Sequence, residues 1–530
     1  MFDALRQKLS TWLSPSRPPA PRGRTAQRMY AMARAGRTTS GWGTQTTSED
    51  NELSSSLRSA RDRSRQLIRD AAYAKRAKVI VQNNVVGAGI GMQAKVESSR
   101  GHLHDRVNDG IESAWERWSC AESCHTGGAL HFADLERQLV GQVFDAGEIF
   151  VRVHPARFGD SQVPLALEII EPERIADEFQ PLPVAANAKV RMGIEVDPFG
   201  RPIAYWIRNT HPGDLRPSAQ FTTSIERVPA EQILHLRIID RWPQTRAIPW
   251  MHAAARKLND MDGLTEAEIT AARGAACYMG FIESPDGETD FGQEQPDGSM
   301  QTELEPAVID RLAPGEKFTF AAPNRPNSQL DPFMRMMLRE VAAGVGCSYE
   351  SLSRDYSQSN YSSSRLALLD DRDLWRMLQR WFIRNFRQVI HRRWLQQAVL
   401  ARAISAIHIE EYAVNPEKFE AVCFKPRGWS WIDPTKEVEA YEKAIRNGFT
   451  TVSAVIAQTA DGRDLEDVLK ERTQELTMMA EEGLVFDTDP STVKTVEATP
   501  PANEGEPPTE TDPAVEVAEK MLRKAGRTHA

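Results

Sequence analysis

Four stretches of this chain hold residue types that can do chemistry. Cys120, Cys124 and His125 have the donors and close spacing of half a zinc site, because thiolate and imidazole ligands set tetrahedral bonds about that ion. The second half is missing nearby, where Cys277, Cys347 and Cys423 stand alone. Gly87-Ala88-Gly89-Ile90-Gly91 invites comparison with a phosphate-cradling loop. Met92 stands where its last glycine belongs, and Gln93-Ala94-Lys95-Val96 reads as a strand rather than a helix whose N-terminus would hold a pyrophosphate. These glycines are therefore read as a tight helix-to-strand turn. Asp370, Asp371 and Asp373 offer metal carboxylates, yet closely consecutive acids on a helix point in different directions. The fourth stretch is the polar run Ser353–Arg365, with six serines and no apolar period between two helical patterns. It reads as a loop, and a long polar loop inside a folded region is usually functional or disordered.

No G-x-x-x-x-G-K-[ST] loop, H-E-x-x-H helix, G-x-S-x-G elbow or paired C-x-x-C occurs in the chain, so nothing favours catalysis over scaffold. The formal net charge of −9 argues against a surface that grips nucleic acid as a whole. Five irregularly spaced cysteines fit a reduced setting rather than a disulfide framework. No uncharged apolar run reaches the ~18 residues of a membrane span, and no secretory signal is seen, so a soluble protein made in the cytoplasm is expected.

The elements that must position these stretches follow from periodicity. Met1–Asp50 is rich in Arg, Pro, Ser and Thr and is expected to be a short amphipathic start and a flexible basic arm. Leu53–Gln82 is helical in pattern, with Leu53, Leu57, Leu67 and Ile68 among interspersed arginines. Trp115 and Trp118 are core anchors one turn apart, Phe132–Gly147 is a helix, and strands are expected at Glu148–Val153 and Leu165–Ile170. Two alternating runs around Pro198-Phe199-Gly200-Arg201-Pro202 make a hairpin, Val228–Leu236 adds a strand, and His235 reads as a structural histidine. This first half is α+β.

Pro249–Met279 is helical and would span roughly 40–45 Å at ~1.5 Å per residue, with a kink or restart expected at Gly263 and Thr265-x-x-Glu268. Glu283–Gln329 is a small polar insertion with one clear strand, Lys317–Phe320. Asp331-Pro332 starts a helix ended by Gly344 and Gly346. A long helix from near Arg365 towards Leu400 places Leu366, Leu369, Trp375, Leu378, Phe382, Phe386, Val389 and Ile390 along one side. It holds nine arginines from Arg365 to Arg402, and acids early with arginines late suit the helix dipole. Asp433-Pro434 caps a helix to about Asn447, Thr450 caps a short one, and another reaches Glu482. Asp487–Asp512 has little to bury and is expected to be a disordered tail.

In order, Arg63-Ser64-Arg65, Asn84-Val85-Val86-Gly87, Gly147-Glu148, Ile170-Glu171-Pro172, Gly193-Ile194-Glu195 with Gly200-Arg201-Pro202, His235-Leu236, Pro314-Gly315-Glu316, Asn360-Tyr361-Ser362-Ser363 with Arg365, and Ile432-Asp433-Pro434 make a specific series. On these pieces the chain, from about Leu57 to Glu482, resembles the portal proteins of tailed bacteriophages, specifically the lambda-type group. Arg241–Ala247 departs from the pattern, since a glycine tends to stand in the place of Ala247.

The resemblance implies an α+β portal fold of wing, stem, clip and crown, closed into a dodecameric ring at one capsid vertex. Double-stranded DNA would enter through that ring, driven by the terminase large subunit, and later leave through it. The implied parts are the arm (1–50), the wing (51–248), a first stem helix (249–282), the clip (283–329) and a second stem helix (330–346). After these come a tunnel loop (347–364), the long helix with a return segment of the wing (365–428), a helical crown (429–485) and the tail (486–530). Expected DNA-channel residues are Arg354, Asp355, Gln358, Asn360, Tyr361, Ser362 and Arg365, and expected channel-facing stem residues are Arg335, Arg339 and Glu340. Glu283, Asp286, Asp290 and Glu294 of the clip would meet terminase or adaptors. Expected partners are further copies of the chain, DNA without sequence preference, terminase, head–tail adaptors, the major capsid protein and scaffold, with no membrane, cofactor or catalytic residue. The expected location is the virion, after assembly in the host cytoplasm. The alternatives are a ring-forming adaptor or baseplate protein without DNA in its bore, and a metal-dependent nucleic-acid enzyme using Asp371 or Asp373.

Overall fold

The first helix among the described residues, α1 (Glu49–Asp70), opens with Glu49, Asp50 and Glu52 against its N-terminal dipole and buries Leu53, Leu57, Arg61, Ser64 and Ile68 on one face. In the computed structural model, the described residues are 37, 41, 43–44, 46–98, 103–179, 181–183, 187–214, 224–277, 280–283, 293–294, 300–301, 317–320, 329–429, 434–459 and 465–484. The expected tail (486–530) and nearly all of the expected arm (1–50) lie outside them. The chain divides into two units, Met1–Gly87 with Ala94–Ala421 and Ala88–Gln93 with Val422–Ala530. Among the described residues no helix is long and apolar enough to cross a membrane.

The single helix expected over Leu53–Gln82 is two, because the chain is extended at Ala71 between α1 and α2 (Ala72–Val85). Helices α3 (Asp105–Trp118) and α4 (Phe132–Ala146) follow. A three-stranded antiparallel sheet has β1 (Glu148–His154) at its centre, flanked by β2 (Ala166–Ile170) and β7 (Ile233–Arg237), with Phe150 opposite Ile170 and Ile149 opposite Leu236. A four-stranded antiparallel sheet runs β3 (Lys189–Arg191), β4 (Ile194–Val196), β5 (Pro202–Arg208), β6 (Ile225–Pro229) in chain order. The one strand expected over Val228–Leu236 is thus two strands in different sheets, separated by a 3₁₀ turn at Ala230–Gln232. Phe150, Ile170, Ile175, Ile194, Tyr205, Ile207 and Val228 fill one shared core.

Gly147 joins α4 to β1 at φ +86°, and a Cβ there would stand 2.3 Å from Ile248 O, so only glycine fits. The next residue, Glu148, is fully buried. Its carboxylate accepts from Arg246 Nε (2.7 Å), Arg61 (3.3 Å), His235 Nε2 (2.9 Å) and Ala247 N (3.2 Å). Arg246 also donates to Met192 O (2.9 Å) and Pro172 O (3.2 Å). Burial pushes the Glu148 carboxyl up, but Arg246, His235 and Arg61 outweigh it and hold the group at about 2. His235 is pushed down to about 3, first by burial and then by Arg237. It is neutral, with Nε2–H donating to Glu148 and Nδ1 accepting from Arg237. Ala247 completes this turn without a positive φ, so the position does not require the glycine that the resemblance leads one to expect.

Trp115 and Trp118 are buried, as their spacing predicts, and pack with Phe132 and Trp394. Arg387 pairs there with the buried Glu136 at 2.6 Å. Helix α5 (His252–Cys277) runs unbroken past Gly263, and Thr265 Oγ1 donates back to Met261 O (2.8 Å) instead of capping a restart. It packs on α6 (Leu330–Val345), with Gly344 at the close approach to Ala254. Gly280–Glu283 pairs antiparallel with Lys317–Phe320, and 293–294 with 300–301. Two of the four expected clip residues, Glu283 and Glu294, fall on these strands, while Asp286 and Asp290 lie outside the described residues. Helix α7 (Tyr349–Ser353) leads to α8 (Tyr361–Phe382), which passes through a π turn at Ile383–Arg387 into α9 (Gln388–Leu400).

In the second unit, the strand that opens at Gly91 pairs with Val422–Lys425, and Gly89 at φ +133° lies in the expected tight turn before it. Helices follow at Pro434–Arg446, Val452–Thr459 and Leu465–Glu481, with Thr451, not Thr450, accepting from Ala454 N (3.2 Å).

Glu148→Ala leaves two guanidinium groups buried without their anion and is expected to cost roughly 3–5 kcal/mol, measured by chemical denaturation. The pH dependence follows from the same groups. Glu148 stabilises above its ordinary 4.5 and loses this as pH falls towards 2; His235, held neutral when folded, loses ground once the unfolded state takes up a proton below 6.5. A melting series should therefore fall from about pH 6.5 downward, most steeply below about 4.5.

Candidate channel-facing segment

The polar run is shorter and more ordered than its composition suggests. Gly346 ends α6 at φ +83°, with its N–H on Ala342 O at 2.9 Å. Ser348 then caps α7, its hydroxyl accepting from Ser351 N. The buried Asp371 clamps this cap from α8, accepting from Ser348 N (2.8 Å), Ser348 Oγ (2.7 Å) and Ser351 Oγ (2.8 Å). Asp370 and Asp373 are exposed, so the three acids do not converge on one point. The Asp371 clamp has a readable trace, the S-x-x-S cap at 348–351, but its partner twenty residues on has none.

Arg354 ends α7 in the left-handed region at φ +58°, its side chain exposed. Asp355 accepts from Tyr349 Oη (2.8 Å) and Ser357 N (3.0 Å) and faces Arg335 at 3.5 Å. Hydrogen bonds from Ser357, then Tyr349, hold its carboxyl down at about 2. Asn360 and Ser363 form a capping box, Ser363 N donating to Asn360 Oδ1 (2.8 Å) and Asn360 N to Ser363 Oγ (3.1 Å). Helix α8 therefore starts at Tyr361, four residues before the expected Arg365, and places Tyr361, Ser362 and Arg365 in its first turns. The irregular stretch is only 354–360.

Of the candidate residues here, Arg354, Gln358, Tyr361 and Ser362 are exposed, whereas Asp355 and Asn360 are engaged in holding the turn. The stem candidates are tied within the chain as well. Arg335 reaches Asp331 (3.1 Å) as well as Asp355, Glu340 pairs with Lys257 of α5 (3.3 Å), and Arg339 lies over the Tyr349 ring at 5.4 Å.

The other chemistry-bearing clusters are structural. Cys120 is exposed, while Cys124 is buried with its thiol on Ser119 O and Leu130 O and pushed up to about 12 by burial, a poor source of a thiolate ligand. Glu171, Glu173 and His211 lie close enough to share a cation. Arg65 already bridges the two carboxylates at 3.1 and 3.0 Å.

Comparison with known proteins gives this geometry a family. The family model described as phage portal protein, lambda family, matches residues 35–379. A probable portal protein of Halomonas phage phiHAP-1 is 28% identical over 483 residues, covering 87% of this chain and 89% of its own. Portal protein B of Escherichia phage lambda is 22% identical over 503 residues, covering 86% and 91%. Among solved structures, a chain from the neck of an empty GTA particle aligns with a TM-score of 0.40 and 15% identity over 75% of this chain and 92% of that one. The chain is thus a mixed helix-and-sheet phage structural protein. It belongs to the lambda family of phage portal proteins.

Asp371→Ala should leave the Ser348 cap without its acceptor at a cost of about 1–3 kcal/mol. Amide exchange over 348–353 should rise more than exchange in α9. A divalent cation should not reverse that change, because the carboxylate serves as a hydrogen-bond acceptor.

Proposed function

We propose that copies of this chain close into a dodecameric ring at one capsid vertex, through which the terminase large subunit drives double-stranded DNA and through which the DNA later leaves. Head–tail adaptors attach to the same ring, with the major capsid protein and scaffold around it. The family match over 35–379, which takes in the α5–α6 hairpin and the turn at 354–360, carries this reading. In it, 51–248 and 365–428 are wing, α5 and α6 stem, 283–329 clip, 347–364 tunnel loop and 429–485 crown. The chain binds and guides; it catalyses nothing.

The chemistry of the turn suits a moving polyanion. Each phosphate paired with a cation releases counterions and strengthens binding, so a bore lined with lysine and arginine would hold DNA. Arg354, Gln358, Tyr361 and Ser362 offer one fixed cation beside neutral donors. Asp355 and Asn360 spend their polar groups on the turn itself, which keeps that short display rigid. In the stem, Arg335 and Glu340 stiffen the hairpin through Asp331 and Lys257, and Arg339 stays exposed on α6. Glu283, Asp286, Asp290 and Glu294 are the acidic residues of the clip that meet terminase or adaptors in this reading.

Deleting 358–362 would remove the Asn360 cap and disturb α8, so substitution is the cleaner test. Arg354→Ser with Gln358→Ser should leave ring formation unchanged by electron microscopy and lower packaged or retained DNA several-fold. Full heads in normal yield would remove the turn from the DNA path. Exchanging 283–329 for the equivalent segment of another portal should change terminase or adaptor binding while rings still form, as counted on the same grids.

A further inference from the structure

Helix α8 is apolar on two sides, and only one of them is covered. Trp375, Leu378 and Phe382 are buried, whereas Leu366 (71% exposed), Leu369 (41%) and Met377 (59%) project on the opposite face. At ~100° per residue these three lie within about 80° of one another, with the exposed Asp373 among them and the exposed Asp370 about 20° beyond Met377. Helix α6 repeats the arrangement. It buries Met337, Leu338, Val341, Ala342 and Val345 and exposes Phe333 (44%) and Met336 (54%) on its other side. Exposed apolar side chains gathered in a row mark an interaction surface rather than the ordinary scatter of a soluble protein.

The charges beside the two rows are opposite. Asp373 is paired with Arg376, but Asp370 makes no hydrogen bond or ion pair among the described residues, which leaves the α8 row with an unpaired anion. On α6, Asp331 holds Arg335 and Lys257 holds Glu340, which leaves Arg339, exposed and resting on a neutral ring, as that row's cation. A closed ring of identical chains needs two unlike, complementary patches on each chain, because its contacts are heterologous. We infer that the Phe333–Met336 row of one copy packs against the Leu366–Leu369–Met377 row of the next, with Arg339 facing Asp370 across the seam. This rests on the ring reading above and names the surfaces that would close the ring.

The test uses the full chain with the exposed Cys120 and Cys423 changed to serine. Met336→Cys with Leu366→Cys in one chain, oxidised with copper phenanthroline, should give a ladder of cross-linked oligomers, and either cysteine alone should give none. Separately, Met336→Glu and Leu366→Glu place charge where the single chain is already open to solvent. Each should keep its circular dichroism and lower the ring fraction at least ten-fold on electron micrographs. If the unsubstituted chain forms no rings, the ring reading fails. If rings form but the double-cysteine chain stays uncross-linked, or both glutamate variants assemble normally, this seam is wrong and the ring stands. A cross-linked dimer from a single cysteine would mean that like faces meet, which also overturns it.

Discussion

The carboxylate of Glu148, sealed from water between two arginines and a neutral histidine, is the constraint on which the first unit depends. It ties α1 and the 241–247 turn to the paired strands β1 and β7, a junction that no sheet hydrogen bond makes. An ion cluster of this kind is a poor source of net stability, since well-packed apolar groups often do as well. Its value is in selecting one arrangement. A register slip in β1 or β7, or a shift of α1 by one turn, would strand a charge in an apolar core, whereas the surrounding valines and isoleucines would tolerate the change far better. The Arg387–Glu136 pair plays a similar part among the tryptophans of α3 and α9.

Much of this was legible in the residues, and the failures have physical causes. Helices α4, α5 and α6 and the β4–β5 hairpin announce themselves through period and turn residues, since one buried face leaves a repeating trace. Arg61 does not, because an arginine on a buried stripe looks like a solvated charge until its partner 87 residues away is known. The strand expected at 228–236 was divided for a related reason: Pro229 and Gln232 bracket a turn whose two sides are both apolar. Leu366 and Leu369 were assigned to the same side as Trp375 and Leu378, yet α8 has apolar residues on opposite faces and periodicity cannot say which is covered. In the candidate segment, composition showed a polar loop but not that Asp371 and the Asn360 box shrink it to seven irregular residues.

The division of labour in that segment explains why no catalytic pattern surfaced. Carboxylates that might have bound a metal are used as acceptors for serine hydroxyls and backbone N–H groups. Burial and fixed partners hold Cys124, His235 and Glu148 each in one protonation state across the neutral range. In these places the polar groups act as fixed donors and acceptors within the fold.

The π turn at Ile383–Arg387 has its own consequence. Phe382, Phe386, Ile390 and Trp394 recur every four residues and are all fully buried. In an unbroken α-helix such a series would creep round the axis by about 40° per step, taking Trp394 well off the wall that receives Phe382. The wider π turn takes back much of that creep by admitting one surplus residue. The rod is therefore phased like a gear with a single added tooth. Losing one residue between 383 and 387 would swing every side chain beyond it by roughly 100°, uncoupling the tryptophan cluster while the helix itself stayed intact.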